Sequence, residues 1–332
     1  MKKVLLSVGC VVLFLGSIGF AEEAAKPYIG YWALNLPGGG AGWMGIEQTD
    51  GGALSGSVLW GGGSPLTYDA VIVENGALVV TRVLKEKKDG KEEKKTEKIT
   101  ATTDNGLLNV TKVVIEQDGK ETGKSEFKGK KITPLPAKPD LSKVKFGKPI
   151  KLFEKGFEGW VAMNTKAFNG WSMKDGVLSN RVLDENGKNK HGTNLRTVAT
   201  TFEDFNLKTE ACMAKDGNSG IYLRGIYEIQ MADTFGKDVN CHNMGALYGR
   251  VTPLVAAEKP AGEWQTLDIT LCDRHVTVIL NGQKIIDNQP AIGITGGAVT
   301  SDEFVPGPIY LQGDHTNVDY RNMILTPIIQ KP

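Results

Sequence analysis

The chain has 332 residues, 40% of them hydrophobic and 23% charged, a balance that buries a core and excludes a disordered chain. Its formal net charge of +1 leaves no electrostatic footprint for nucleic acid. The length sets two domains as the expectation, and 41 glycines clustered with Asn and Asp favour many tight turns, hence an all-β chain.

The first element is a leader. The basic "MKK" precedes the apolar run "VLLSVGCVVLFLGSIGF", and "GFA" then places small residues at Gly19 and Ala21. This reads as a secretory signal peptide over residues 1–21, cleaved after Ala21. The mature protein is then exported, periplasmic or extracellular, with no membrane attachment left. Cys10 sits inside the apolar run, away from a lipoprotein position. Of the remaining Cys212, Cys241 and Cys272, an oxidising compartment permits one disulfide, and the odd count leaves at least one thiol over. No CxxC, His-x-His, HExxH or EF-hand spacing occurs, so neither a metal nor a cofactor is read.

Residues 27–133 read as short strands divided by turn signals. "YDAVIVENGALVVTRVL" turns at Asn75-Gly76, and "EKITATTDNGLLNVTKVVIEQ" repeats the device at Asn105-Gly106. The spacing predicts a small antiparallel barrel or sandwich. The charged run from Lys85 to Lys98, with Asp89-Gly90 near its middle, reads as a solvated hairpin tip. Residues 134–150, with four prolines and scattered lysines, break all periodicity and read as a semi-extended linker.

Residues 151–327 form the second expected domain. "FEDFNLKTEACMA" alternates, with Phe205, Leu207, Thr209 and Ala211 on one side and Asn206, Lys208, Glu210 and Cys212 on the other. "EWQTLDITLCDRHVTVILNGQKIID" turns at Asp273-Arg274 and again at Asn281-Gly282. "GPIYLQGDHTNVDYRNMILTPI" supplies a further strand pair, and no amphipathic helix exceeds two turns. The pattern predicts a β-sandwich of two antiparallel sheets.

One stretch stands apart. In "GNSGIYLRGIYEIQMAD", alternation puts Ile221, Leu223, Tyr227, Ile229 and Met231 on one face, an ordinary core stripe. The other face carries Tyr222, Arg224, Glu228 and Gln230. Such a row is either a wet face, as antiparallel sheets often have, or the floor of a cleft.

The segments "DFNLKTEACMAKDGNSGIYLRGIYEIQMAD", "GALYG", "KPAGEWQTLDITLCDRHVTVILNGQKI" and "GPIYLQGDHTNVDYRNMILTPI", in that order, resemble the 3-keto-disaccharide hydrolase family over residues 152–327. The resemblance implies an exported concanavalin-like jelly roll acting on 3-keto-glycosides. A ketone at C3 acidifies the C2 hydrogen. A base removes it, the glycosidic oxygen leaves by β-elimination, and water adds afterwards. Such a site needs a base, a stabiliser for the enolate oxygen and an acid for the leaving group. It does not need the two opposed carboxylates of an ordinary glycosidase. A sugar 3-dehydrogenase upstream would have to supply the ketone.

The resemblance also distributes roles. Glu228 is the expected base, with His315 of "QGDHTN" as the other candidate, in a turn where the family commonly carries a histidine. Arg224 offers a fork for an oxyanion. Tyr222, Gln230 and Gln312 are expected to hold sugar, together with Tyr248 of "GALYG" and the charged pair Lys259 and Glu263 of "EKPAGEW". Two other readings stand beside this one. A non-catalytic carbohydrate-binding jelly roll would use the same row as a grip. A laminarinase-type glycosidase would need E-x-D-x-x-E, where "EIQMAD" offers only Glu228, Gln230 and Asp233.

Overall fold

The computed structural model describes residues 23–88 and 91–331. The leader and the Asp89-Gly90 turn lie outside the described residues. The chain divides into two compact units. The first takes the chain up to Pro37 with Met44–Val58 and Leu66–Ile132, and the second takes Gly38–Trp43, Leu59–Pro65 and Thr133–Pro332.

The first unit is built on one nine-stranded antiparallel sheet. Its strands are β1 (Gly30–Asn35), β2 (Ala41–Gln48), β3 (Leu54–Leu59), β4 (Leu66–Thr67), β5 (Ala70–Glu74), β6 (Ala77–Lys88), β7 (Lys91–Asp104), β8 (Leu107–Ile115) and β9 (Glu121–Lys131). They run in the order β4-β3-β2-β1-β9-β8-β7-β6-β5, so neighbours in sequence pair except β4 and β5, which are the two edges, and β9 returns beside β1. The predicted turns are where the sequence puts them. Asn75 and Gly76 have φ of 51° and 77°, and Asn105 and Gly106 have 50° and 76°, the left-handed pair that a two-residue hairpin needs. Leu78 and Val80 on β6, Ile99 and Ala101 on β7, and Leu108 and Val110 on β8 alternate into the core. Beyond them β6 and β7 continue into the charged run, where Lys95 pairs with Glu86 at 3.0 Å and with Glu116 at 3.4 Å.

The second unit holds two antiparallel sheets that share a core, the jelly-roll sandwich. The first contains β10 (Lys145–Phe146), β11 (Ile150–Lys151), β13 (Trp171–Lys174), β14 (Val177–Asn180), β16 (Phe205–Met213), β19 (Trp264–Cys272), β20 (His275–Leu280), β21 (Gln283–Pro290) and β23 (Val318–Gln330). The second contains β12 (Trp160–Ala162), β15 (Leu195–Thr197), β17 (Asn218–Leu223), β18 (Tyr227–Ala232) and β22 (Tyr310–Leu311), in the order β12-β15-β22-β17-β18. Phe205, Leu207, Thr209 and Ala211 of β16 are buried, as are Ile221, Leu223, Tyr227, Ile229 and Met231 of β17 and β18. Both stripes are the ones alternation picked out.

One expectation needs correction, and the open question of a disulfide is answered. The proline-rich stretch is extended, yet it is tied to the second unit along its length. Lys145 and Phe146 pair with β23, Ile150 and Lys151 pair with it again, and Asn288 donates to the Pro139 carbonyl at 2.8 Å. No disulfide forms among Cys212, Cys241 and Cys272, which are all free thiols. Cys272 is buried at the end of β19, and burial pushes its thiol up to about 12.

The second sheet carries the polar row. Every residue of β18, and every residue of β17 after Asn218, is buried, so both faces of this strand pair are covered.

Candidate functional site

The polar row is not a wet surface. Tyr222 is 1% exposed, Glu228 3% and Gln230 4%. Antiparallel register sets Tyr222 opposite Glu228 and Gly220 opposite Gln230. On the other side of β17, β22 sets Tyr310 opposite Tyr222, and the Gln312 backbone donates to the Gly220 carbonyl at 2.9 Å. Three adjacent strands thus present phenols, amides and one carboxyl on a single face. The Tyr222 and Tyr310 rings stack, with centroids 4.1 Å apart and planes within 11°. Gly220 is the gap in this floor, since a Cβ there would collide with the Glu228 carboxyl.

A cavity of about 640 Å³ opens over the row. Tyr222, Glu228, Gln230, Tyr248, Gln312 and His315 all line it, so six of the nine predicted residues come together. Asn194, Asn218, Tyr310 and Asp314 join them without having been picked out from sequence. Tyr310 was legible, because it lies two residues before Gln312 on a strand and so shares its face. Asp314 is the immediate neighbour of His315.

Three predicted residues are elsewhere. Strand β17 ends at Leu223, and Arg224 and Gly225 turn with φ of 54° and 68°. The Arg224 guanidinium leaves the row, is buried, and donates to the carbonyls of Glu303 at 2.7 Å and Val305 at 2.5 Å. Its Nε and Nη2 are taken by backbone carbonyls, and the side chain does not line the cavity described above. Lys259 and Glu263 share the loop before β19, with Lys259 Nζ on the Trp264 carbonyl at 3.1 Å, and neither lines the cavity.

The electrostatics follow from this placement. Burial pushes the Glu228 carboxyl up to about 8. A Tyr222 proton turned toward the carboxylate, and the charge of His315, pull it back, and Asp314 adds to the rise. His315 Nδ1 lies 2.6 Å from Asp314 Oδ1, and that bond raises the imidazole above its ordinary value against the opposing effect of burial. Burial likewise keeps the Tyr222 and Tyr310 phenols protonated. Asn194 is fixed at both ends of its amide, donating to the Tyr310 hydroxyl at 2.9 Å and accepting from the Gly313 backbone at 2.8 Å. Gln230 donates to Asn218 Oδ1 at 3.3 Å, while its own Oε1 and that of Gln312 are buried with no protein partner. Buried polar atoms are normally satisfied, so these two acceptors are open to a donor from outside the protein. No lysine or arginine is among the described residues that line the cavity. No group of three or more His, Cys, Asp or Glu is placed to hold a metal ion among the described residues.

Comparison with known proteins assigns a family. A family profile described as a 3-keto-alpha-glucoside-1,2-lyase-like domain matches residues 148–326. Two provisionally named glycosyl hydrolases from Parabacteroides distasonis ATCC 8503 are similar in structure. One is 26% identical, with 54% of this chain and 98% of that chain covered and a TM-score of 0.40. The other is 21% identical, with 52% and 90% covered and a TM-score of 0.40. A non-specific endo-beta-1,3(4)-glucanase of family GH16 is 10% identical, with 58% and 92% covered and a TM-score of 0.34. No curated protein matches the chain.

Proposed function

Because the chain belongs to the 3-keto-alpha-glucoside-1,2-lyase-like family, we propose that it cleaves 3-keto-glycosides by C2–H abstraction, β-elimination and hydration. The observation that carries this reading is a single buried carboxyl, Glu228, in a cavity with the His315–Asp314 pair and a set of spare amides. Elimination beside a ketone requires one proton to leave C2 and one to reach the glycosidic oxygen. Two groups with shifted titration on one floor meet that need. The enolate oxygen formed on the way is stabilised by neutral donors, namely the amides of Asn218, Gln230 and Gln312 and the phenols, since Arg224 is committed elsewhere.

The absence of lysine and arginine from the described lining favours an uncharged sugar over a uronate or a sugar phosphate. The ketone has to be made by a sugar 3-dehydrogenase acting earlier. Export rests on the leader read from the sequence, and no helix among the described residues is long and apolar enough to cross a membrane.

A laminarinase-type mechanism fits less well. The centre of its motif is Gln230, which cannot serve as a carboxylate, and Asp233 accepts from the Asp216 backbone at 2.9 Å instead of lining the cavity. A pure binding floor would gain nothing from an acid group buried without a lysine or arginine beside it, which is expensive to keep ionised.

The test is direct. The purified protein is incubated with 3-keto-trehalose and 3-keto-lactose, with the unoxidised sugars beside them. Products from the keto sugars alone are expected. Saturable binding without any product would make the cavity a lectin site and end the enzymatic reading.

A further inference from the structure

We infer that Glu228 is the proton donor of the reaction and not its base, and that Tyr222 is the positioning residue that imposes this role. The inference rests on the function proposed above and assigns the direction of its proton transfers. It decides between the two candidate bases read from sequence, in favour of His315.

Counting protons decides the direction. The Tyr222 hydroxyl lies 2.9 Å from Glu228 Oε2 and 2.6 Å from the Gly296 carbonyl oxygen. A phenol carries one proton, and a carbonyl has none to give. Two oxygens at 2.6 Å with no proton between them would oppose lone pairs, so the phenol proton lies on the shorter contact, toward Gly296. The contact to Glu228 then needs a proton from the carboxyl, which makes Glu228 a carboxylic acid in the free protein.

Gly296 cannot move aside to relieve this. The Thr295 backbone donates to the Ile226 carbonyl at 2.9 Å, and its hydroxyl donates there as well at 3.1 Å. The same hydroxyl accepts from the Glu228 backbone at 2.9 Å, and the Val299 backbone donates to the Gly225 carbonyl at 2.9 Å. The loop is stapled to the turn that joins β17 to β18. Gly297, at φ 83°, admits the phenol, since a Cβ there would stand 2.5 Å from the Tyr222 hydroxyl. The titratable groups that act on Glu228 or feel its charge are Tyr222, Tyr310, Tyr320, Asp314 and His315, with no lysine or arginine among them. The upward push of burial agrees with the proton count.

The base is then His315. With Nδ1–H on Asp314, the neutral ring keeps a lone pair on Nε2. Nε2 takes the C2 proton, and the C–H electron pair forms the enolate with its charge on the C3 oxygen. The pair returns to make C1=C2 as the C1–O bond breaks, which restores the C3 ketone. The leaving oxygen departs with the Glu228 proton, and the Tyr222 proton turns from Gly296 to the new carboxylate. Water then adds across C1=C2. Its hydroxyl goes to C1, its proton to Glu228, and His315 returns a proton to C2, so both groups are reset.

The experiment compares leaving groups within one variant. Methyl and 4-nitrophenyl 3-keto-glucosides are given to wild type, Glu228→Gln, Tyr222→Phe and His315→Ala. A methoxide has to be protonated as it leaves, whereas a nitrophenolate does not. Glu228→Gln is expected to lose about 10²–10⁴-fold in kcat/KM on the methyl substrate and less than about tenfold on the nitrophenyl one. His315→Ala is expected to lose similar factors on both. Tyr222→Phe should show the leaving-group dependence of Glu228→Gln, and its alkaline limb should move to lower pH, because the carboxyl loses the lone pair that accepts its proton, which a merely structural role would not produce. Because the readout is a ratio between two substrates, partial misfolding of a variant does not imitate it. Equal losses on both substrates for Glu228→Gln, with wild type active on both, would overturn the acid assignment alone. A wild type inert on both would overturn the proposed function and this inference with it.

Discussion

Two polar rows of the second unit have the same alternation in sequence and opposite fates. On the outer face of β16, Lys208 pairs with Asp268 at 3.1 Å, and Glu210 receives Arg321 at 2.6 Å and Asn322 at 2.6 Å. Asn322 first, and Arg321 after it, hold the Glu210 carboxyl below the usual range. On β17 and β18 the row is Tyr222, Glu228 and Gln230, with no lysine or arginine among the described residues lining the cavity, and burial drives the carboxyl the other way. A row with charges of both signs is a solvated face that solves its own electrostatics. A row of phenols and amides around one acid leaves the electrostatics to a substrate.

Four measurements put that contrast at risk. The largest effect concerns stability and pH. The folded-state value of Glu228, about 8, lies above the unfolded value near 4.5. Below that unfolded value both states hold the proton, and the stabilising contribution is fully present. As pH rises toward 8 only the unfolded state loses the proton, and the contribution is lost. Urea denaturation should therefore show wild type weakening relative to Glu228→Gln between pH 4.5 and 8, on the order of a few kcal/mol. An unchanged gap across that window would mean that Glu228 is ionised, and the two rows would then be alike.

Gly220→Ala comes next. Its Cβ has no room beside the Glu228 carboxyl, so a thermal melt should report a loss of about 1–3 kcal/mol. Turnover should fall further than stability, because the acid is displaced. A variant with wild-type kcat would show that the carboxyl has space the structure denies it. Gln230→Ala removes one ligand-facing amide and should raise KM about tenfold, the ~1.4 kcal/mol of one hydrogen bond, with kcat less affected. An unaltered KM would take Gln230 out of the binding surface. The smallest effect belongs to the outer row. Glu210→Gln should cost ~0.5 kcal/mol and leave the kinetics alone, and a kinetic defect there would place the outer face in the function.

How much of this was legible depends on which physical rule governed each residue. The strand stripes, the Asn-Gly turns and the order of sandwich segments follow from local periodicity and turn chemistry, and these hold in the structure. Glu228 and Gln230 were legible because alternation on β18 is unbroken. Arg224 was misplaced because the same alternation was carried one residue too far. The Gly225 after it marks the left-handed turn where the strand has ended, and the side chain points to carbonyls instead of sugar. Lys259 and Glu263 sit on a loop, where no period constrains direction. Asn194, Thr295 and Gly296 come from distant parts of the chain, and only tertiary packing brings them to the row. The thiols illustrate the same limit, since compartment chemistry permits a disulfide but says nothing about whether two cysteines meet.

The Thr295 staple bears on how the cavity receives its guest. One hydroxyl ties the floor strand to the loop above it, so the arrangement around Glu228 is completed during folding and needs no ordering on encounter. A planar analogue of the enone product should then bind with a negative heat-capacity change that matches the apolar area it covers and no more. Calorimetry across temperature would read the cavity as a lock already cut.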